Sequence, residues 1–258
     1  MTSRLSAITL NTFREAVRDR VLYNLVLFVL LLVASAPLFS QISIGMERLI
    51  LVNVGLSAIS LFGVIIAIFV GIGLVSKEIE KRTLYTILSR PVRRWEFIAG
   101  KYCGLVMTLV VNAALMTVGF YMALFITAHA LKRTDLPLLV AIYFAILEFL
   151  MMTAITLLFS SFSSPIFSAI FAFALFVIGT FAEDLRNFAA LSHGATKILA
   201  TGAAYVVPNF ASLNVISLAA HDQTIPGNLI AFNTLYALLY SAAVTAAAVL
   251  VFERRNLK

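Results

Sequence analysis

The stretch Ser76-Lys-Glu-Ile-Glu-Lys-Arg-Thr-Leu-Tyr-Thr-Ile-Leu-Ser-Arg-Pro-Val-Arg-Arg-Trp-Glu96 is a charged island between two long apolar runs, Leu49–Val75 and Tyr102–Ala128. Each run exceeds the ~20 residues that an α-helix needs to cross a ~30 Å hydrocarbon core. The island therefore reads as a polar loop joining two membrane helices. Its density of charge marks it as the place where something in the surrounding water would dock.

The composition extends this reading to the whole chain. Of 258 residues, 62% are hydrophobic and 12% are charged, whereas a soluble domain carries roughly 45–50% apolar and about 25% charged residues. The mean hydropathy is +1.02. The chain is expected to be an all-α integral membrane protein with one transmembrane domain over residues 1–258 and no separate soluble domain. Six spans are predicted: Val21–Ser40, Leu49–Val75, Tyr102–Ala128, Leu138–Phe159, Pro165–Ala182 and Leu229–Phe252. All six prolines fall at or near span ends or in connections, as expected of a residue that lacks the backbone N–H. The first apolar run has no small-residue cleavage site after it and is expected to remain as an anchor.

Orientation follows from the basic residues. With the N-terminus in the cytosol, the segment before span one, the inner segment from the island through Lys101 and the C-terminal tail together carry fourteen Lys and Arg, against five on the other side. The positive-inside bias then predicts a multi-pass protein of the cell's inner (plasma) membrane with both termini cytoplasmic. It also accounts for the net charge of +7 without a nucleic-acid partner. Gly194–Ala220 is apolar enough to suggest a seventh span, but Pro208-Asn209 interrupts it and a seventh crossing would place Arg254, Arg255 and Lys258 outside. Residues 183–228 are instead expected to form an external connection with short re-entrant helices.

Before span one, Leu5, Ile8, Thr9, Thr12, Phe13, Ala16 and Val17 recur at the spacing of one helical face, while Arg4, Asn11, Arg14, Glu15 and Arg18 take the other. Such a pattern predicts an amphipathic helix over residues 1–20 lying in the headgroup plane with its arginines toward anionic lipid, either as a membrane-surface anchor or as an elbow helix that also touches a cytosolic partner. Within the island, Ile79, Thr83, Leu84, Ile87 and Leu88 form a second stripe, so Lys77–Ser89 reads as a short amphipathic helix. Arg90-Pro91 ends it, because proline disfavours a helical residue before it.

The run Ser76 to Leu84, continued by Leu88-Ser-Arg-Pro-Val92, Glu96 and Gly100-Lys101, resembles the segment between spans two and three of type-two ABC transporter permeases. Ser160-Ser-Phe-Ser-Ser-Pro165 and Val206-Val-Pro-Asn-Phe210 with Asn214 are similar to other features of that family. Arg82 departs from the pattern, since many members have glycine before Thr83. The resemblance implies a six-span permease subunit of an ATP-driven exporter, working as a homodimer with a cytosolic ABC ATPase subunit. It also implies that the inner segment is a coupling helix. Carried over by position, Glu78, Glu80, Lys81, Arg82, Thr83 and Leu84 would form or adjoin the contact with the ATPase.

No G-x-x-x-x-G-K-[ST] occurs in the chain, so nothing here cradles nucleotide phosphates. No cofactor is expected on this chain, and ATP and Mg would belong to the partner ATPase. The three histidines are scattered and Cys103 is alone, so no metal site, catalytic group or intrachain disulfide is predicted. The chain reads as a transport subunit rather than an enzyme. Glu148 is the one acidic residue deep in a span. A carboxylate there costs a few kcal/mol, so it reads either as a polar group of a translocation route or as a carboxyl that pins helix packing. The pattern Gly63-xxx-Ala67-xxx-Gly71 in span two, and Ala99, Gly100, Cys103 and Gly104 in span three, offer small-residue surfaces for close helix approach. Three other readings fit the scaffold. These are a permease-like subunit supporting maturation of an extracytoplasmic enzyme, a membrane scaffold without transport, and a proton-coupled carrier built around Glu148.

Overall fold

The computed structural model describes residues 2–18, 28, 31, 46–80, 94–128 and 136–254, without the side chains of 2–4, 18, 47, 74–80, 94 and 254. Among them the protein is all helical. An N-terminal helix α1 (Thr2–Arg18) is followed by the long helices α2 (Glu47–Glu80), α3 (Arg94–Ala128) and α4 (Leu136–Phe162). After these come the shorter α5 (Pro165–Thr180), α6 (Ala182–Leu191) and α7 (Gly194–Val206), a 3₁₀ turn (Ala211–Leu213), α8 (Ile216–Ala220) and the long α9 (Gly227–Arg254).

Four of these helices are long and apolar enough to cross a membrane: Arg48–Gly73, Trp95–Ile126, Leu136–Phe162 and Gly227–Glu253. They coincide with the predicted spans two, three, four and six. Predicted span one lies outside the described residues apart from Phe28 and Leu31. Phe28 is buried and meets the edge of the Phe62 ring at 5.8 Å between centroids. In predicted span five, α5 by itself is short of a full crossing, and it qualifies as a candidate span only as a bent pair with α6. α5 has 16 residues, roughly 24 Å at 1.5 Å per residue. It begins with Pro165 at the first helical position, where the missing N–H has no intrahelical partner to lose. Past Phe181 the chain turns by 57° into α6. The Pro208-Asn209 break likewise separates α7 from the 3₁₀ turn and α8, which lie at 50° to it.

α4 is the axis of the bundle. α2 and α9 pack along it, α3 and α5 complete the ring, and α1 lies along α3. Close approach of α2 to α4 depends on glycine. A Cβ at Gly63 would overlap the Phe149 ring, and one at Gly71 would come within 2.9 Å of Thr156 Cγ2. Ala67, between them, is also buried. The small-residue stripe of span two thus serves packing within the chain. Gly55, about two turns before Gly63, receives Phe120 of α3 in the same way. Lipid tails are as apolar as leucine, so helices in a bilayer associate through this close packing rather than through a hydrophobic drive.

Two expectations are corrected by the structure. Lys77–Glu80 do not open a separate helix but continue α2 without a break; the remainder of the predicted coupling helix, including Lys81, Arg82, Thr83 and Leu84, lies outside the described residues. α3 begins at Arg94, eight residues before the predicted start, because Phe97 and Ile98 are buried against Ala248 and Phe252 of α9 and extend the helix beyond its apolar run. Glu96 in its first turn also suits the positive end of the helix dipole. The apolar face of α1 carries buried Thr12 and Ala16 and half-buried Leu5 and Ile8 against α3.

Overpacking a tight helix contact costs about 1–3 kcal/mol. Gly63→Ala is therefore expected to lower the thermal unfolding midpoint of the detergent-solubilised protein, and Gly63→Ala with Phe149→Leu to recover part of the loss. Gly73→Ala should be neutral, since nothing lies within 4 Å of a Cβ there.

Candidate functional site

Two polar constellations stand out in a molecule built almost wholly from apolar packing. The first lies where α1, the start of α3 and the end of α9 converge. Gly100 and Gly104, one turn apart on α3, form a trough for α1. A Cβ on Gly100 would reach within 2.6 Å of Ile8, and one on Gly104 within 2.7 Å of the Thr9 carbonyl oxygen. Between those glycines Lys101 is drawn inside, with only 2% of its surface exposed. Its Nζ stands 4.0 Å from Glu15 Oε2 and 5.7 Å from the centroid of the Phe97 ring. The Phe97 ring in turn stacks on Phe252 of α9 at 5.9 Å. Glu96 is buried beside this cluster. α1, α3 and α9 are therefore tied at one end by a cation seated on an aromatic face with a carboxylate near it.

The second constellation is in mid-bundle. Ser60 of α2 donates its hydroxyl to Glu148 Oε2 of α4 at 2.6 Å. The pair borders a cavity of about 100 Å³ lined further by Thr180, Asn214, Phe176 and Phe210. At ~10–15 Å³ for each enclosed water, this is room for several. The hydrogen bond meets part of the cost of placing a carboxyl there, and the cavity gives the rest of the group a polar margin.

The far wall of the cavity is the turn at Pro208–Asn214, which is firmly locked. The Asn209 N–H donates to the Tyr236 hydroxyl of α9 at 2.8 Å, and the Phe210 N–H donates to the Gly179 carbonyl at 3.1 Å. Asn233 Nδ2 donates to the Ser212 carbonyl at 3.0 Å, and Ser212 Oγ to the Asn209 carbonyl at 2.9 Å. Gly179 has no room for a Cβ, which would come within 2.7 Å of the Pro208 carbonyl oxygen. Beyond this turn, at the end of the bundle remote from α1, Arg48 Nη1 pairs with Asp222 Oδ2 at 3.1 Å.

Of the residues singled out from sequence, Glu148 is in the cavity wall. Glu78 and Glu80 occupy the last turn of α2, while Lys81, Arg82, Thr83 and Leu84 fall outside the described residues. Among the described residues, no three His, Cys, Asp or Glu come together as metal ligands. Sequence reasoning missed Ser60, because no periodicity says which of several span hydroxyls faces a given carboxylate. It also read Lys101 as a cytoplasmic charge and as part of the Gly100-Lys101 motif, and not as a buried group. Its place between two glycines one helical turn apart was the available signal that the lysine sits under a docked helix.

The sequence model of the family described as ABC-2 family transporter protein matches residues 6–257. No curated protein matches the chain.

Filling the trough on α3 is expected to release α1. Gly104→Val should raise tryptic cleavage at Arg14, measured in native detergent, by roughly tenfold, as a loss of ~1–3 kcal/mol of local packing implies. Gly73→Ala should leave the cleavage rate unchanged.

Proposed function

The chain belongs to the ABC-2 family of transporter proteins, and from that premise we propose that it is the permease of an exporter whose coupling element begins at the end of α2. Family membership makes it a multi-pass membrane component of an ABC transporter, associated with an ABC ATPase. In the proposed assembly two copies of this chain form the membrane unit and two cytosolic ATPase subunits, carrying ATP and Mg, bind its inner face. Both termini and the charged island lie in the cytosol.

The observation that carries this reading is the continuity of α2. One unbroken helix of 34 residues, roughly 50 Å long, bears Glu78 and Glu80 at one end. It bears Ser60, bonded to Glu148, near its middle and Arg48, paired with Asp222, at the other end. A rigid rod cannot be pushed at one end without moving the other. ATP-driven closure of the ATPase dimer, received at Glu78, Glu80, Lys81, Arg82, Thr83 and Leu84, would shift the Ser60–Glu148 contact and the far ion pair together. Inward and outward access would then alternate as α2 and α4 tilt together, their register held by the Gly63–Phe149 and Gly71–Thr156 contacts. The N-terminal helix, held on α3 by the Gly100–Gly104 trough, supplies a second lever at the same end and would rest on the lipid interface with its exposed side.

A second reading, a proton-coupled carrier, draws on the Glu148 carboxyl at the cavity. The two are separated in one assay, using the protein co-purified with its ATPase and reconstituted in vesicles. Glu78→Lys and Glu80→Lys together are expected to weaken ATPase association by roughly thirtyfold or more, the ~2 kcal/mol lower bound for a lost buried charge contact. ATP-driven transport should fall with it while membrane insertion is kept. Glu148→Gln, which retains an acceptor for Ser60, should leave ATP-driven transport intact. Loss of transport in Glu148→Gln, with no ATPase following the tagged chain, would favour the carrier.

A further inference from the structure

α6 and α7 pack as a hairpin beside the main bundle, and between them lies an open pocket of about 500 Å³. That volume is within the ~300–1,000 Å³ range of clefts that hold small ligands. Its lining is unlike the rest of the surface. Arg186 projects from α6, and Lys197, Thr201 and Tyr205 follow one another on a single face of α7. Alanines 189, 190 and 204 supply the remaining walls and leave the space open. Neither Arg186 nor Lys197 makes a hydrogen bond or ion pair with another described residue. The acidic residues Glu183 and Asp184 occupy the first turn of α6 and are not part of the lining.

Two cations facing one cavity without a counter-charge repel each other and attract an anion. The guanidinium fork and the ammonium suit a phosphate, the first by paired hydrogen bonds and the second as a point charge. The Thr201 and Tyr205 hydroxyls add two further donors. A free anion, however, does not explain the surroundings. The outer surface of the hairpin is strongly apolar, with Leu191, Ile198, Leu199 and Val206 each at least 74% exposed. A ligand that satisfies both features has a phosphate head and hydrocarbon tails.

We infer that the α6–α7 hairpin is a seat for an anionic phospholipid, its phosphate held by Arg186 and Lys197 and its acyl chains lying over the Leu191, Ile198 and Leu199 surface. The hairpin would then be anchored at headgroup depth beside the bend that follows α5. Both cations are exposed side chains, so neutralising them leaves the fold intact. This inference is independent of ATP coupling and stands or falls on lipid binding alone.

The test is reconstitution of the full chain in vesicles of mixed phosphatidylglycerol and phosphatidylcholine, re-extraction in mild detergent, and quantification of both lipids retained by the protein. The wild-type protein should retain phosphatidylglycerol in preference. R186Q/K197Q should lower that preference by roughly thirtyfold, since each basic residue near a membrane surface contributes about fivefold. R186K/K197R should preserve it. Equal preference in the wild type and R186Q/K197Q would overturn the proposal, as would retention that differs only because the oligomeric state changed. Displacement of phosphatidylglycerol by excess inorganic phosphate would also overturn it, by assigning the pocket to a free anion.

Discussion

The structure depends on how closely α2 can lie against α4. In lipid no hydrophobic drive holds two apolar helices together, so their register is set by shape. Here the shape is Phe149 filling the gap over Gly63 and Thr156 filling the one over Gly71. Because α2 is a single rod, that register also decides which residues meet at a distance. It brings Ser60 to Glu148 and places Arg48 where Asp222, at the end of α8, can reach it. A slip of one residue along α4 would turn Ser60 away from Glu148 and strand the carboxyl among Phe176, Phe210 and their apolar neighbours.

The second support is polar and sits at the end of the bundle near α1. Lys101 is buried in a trough of two glycines, near Glu15 and above Phe97, and the Phe97 ring continues the contact to α9 through Phe252. A buried charge of this kind contributes little net stability. Its effect is to specify geometry, since α1 can settle on α3 only where Glu15 comes near the lysine. The proposed coupling segment leaves α2 and returns into α3 at this same end, so a force applied there meets a fixed joint rather than a loose helix start. At the opposite end the Pro208–Asn214 turn, held by Gly179, Tyr236 and Asn233, plays the corresponding part.

Much of this was legible in the sequence. Apolar run length located spans two, three, four and six. Pro208-Asn209 marked the break between α7 and α8, and the Gly63, Ala67 and Gly71 spacing marked the packing face of α2. These signals are local, and a single helix carries each one. What escaped was relational. Glu148 stood out as a costly carboxyl, but its partner lies 88 residues away on another helix. Charge made Lys101 look solvated, whereas the glycines flanking it allow a neighbouring helix to cover it. The early start of α3 came from tertiary packing of Phe97 and Ile98 on α9 rather than from any pattern within α3 itself. Periodicity picked out the face of α1 that carries Thr12 and Ala16, yet it cannot tell a face turned to lipid from one turned to another helix.

In the proposed transporter the ATPase grips the chain just beyond the end of α2. The most direct measurement is to place a photo-crosslinking residue at Leu84 in intact cells and identify the adduct. A covalent product with an ABC ATPase, adding roughly 25–35 kDa as expected for a single ATP-binding domain, is the predicted result. Crosslinks solely to proteins outside the cytosol, or none to an ATPase at any position from 78 to 84, would contradict it.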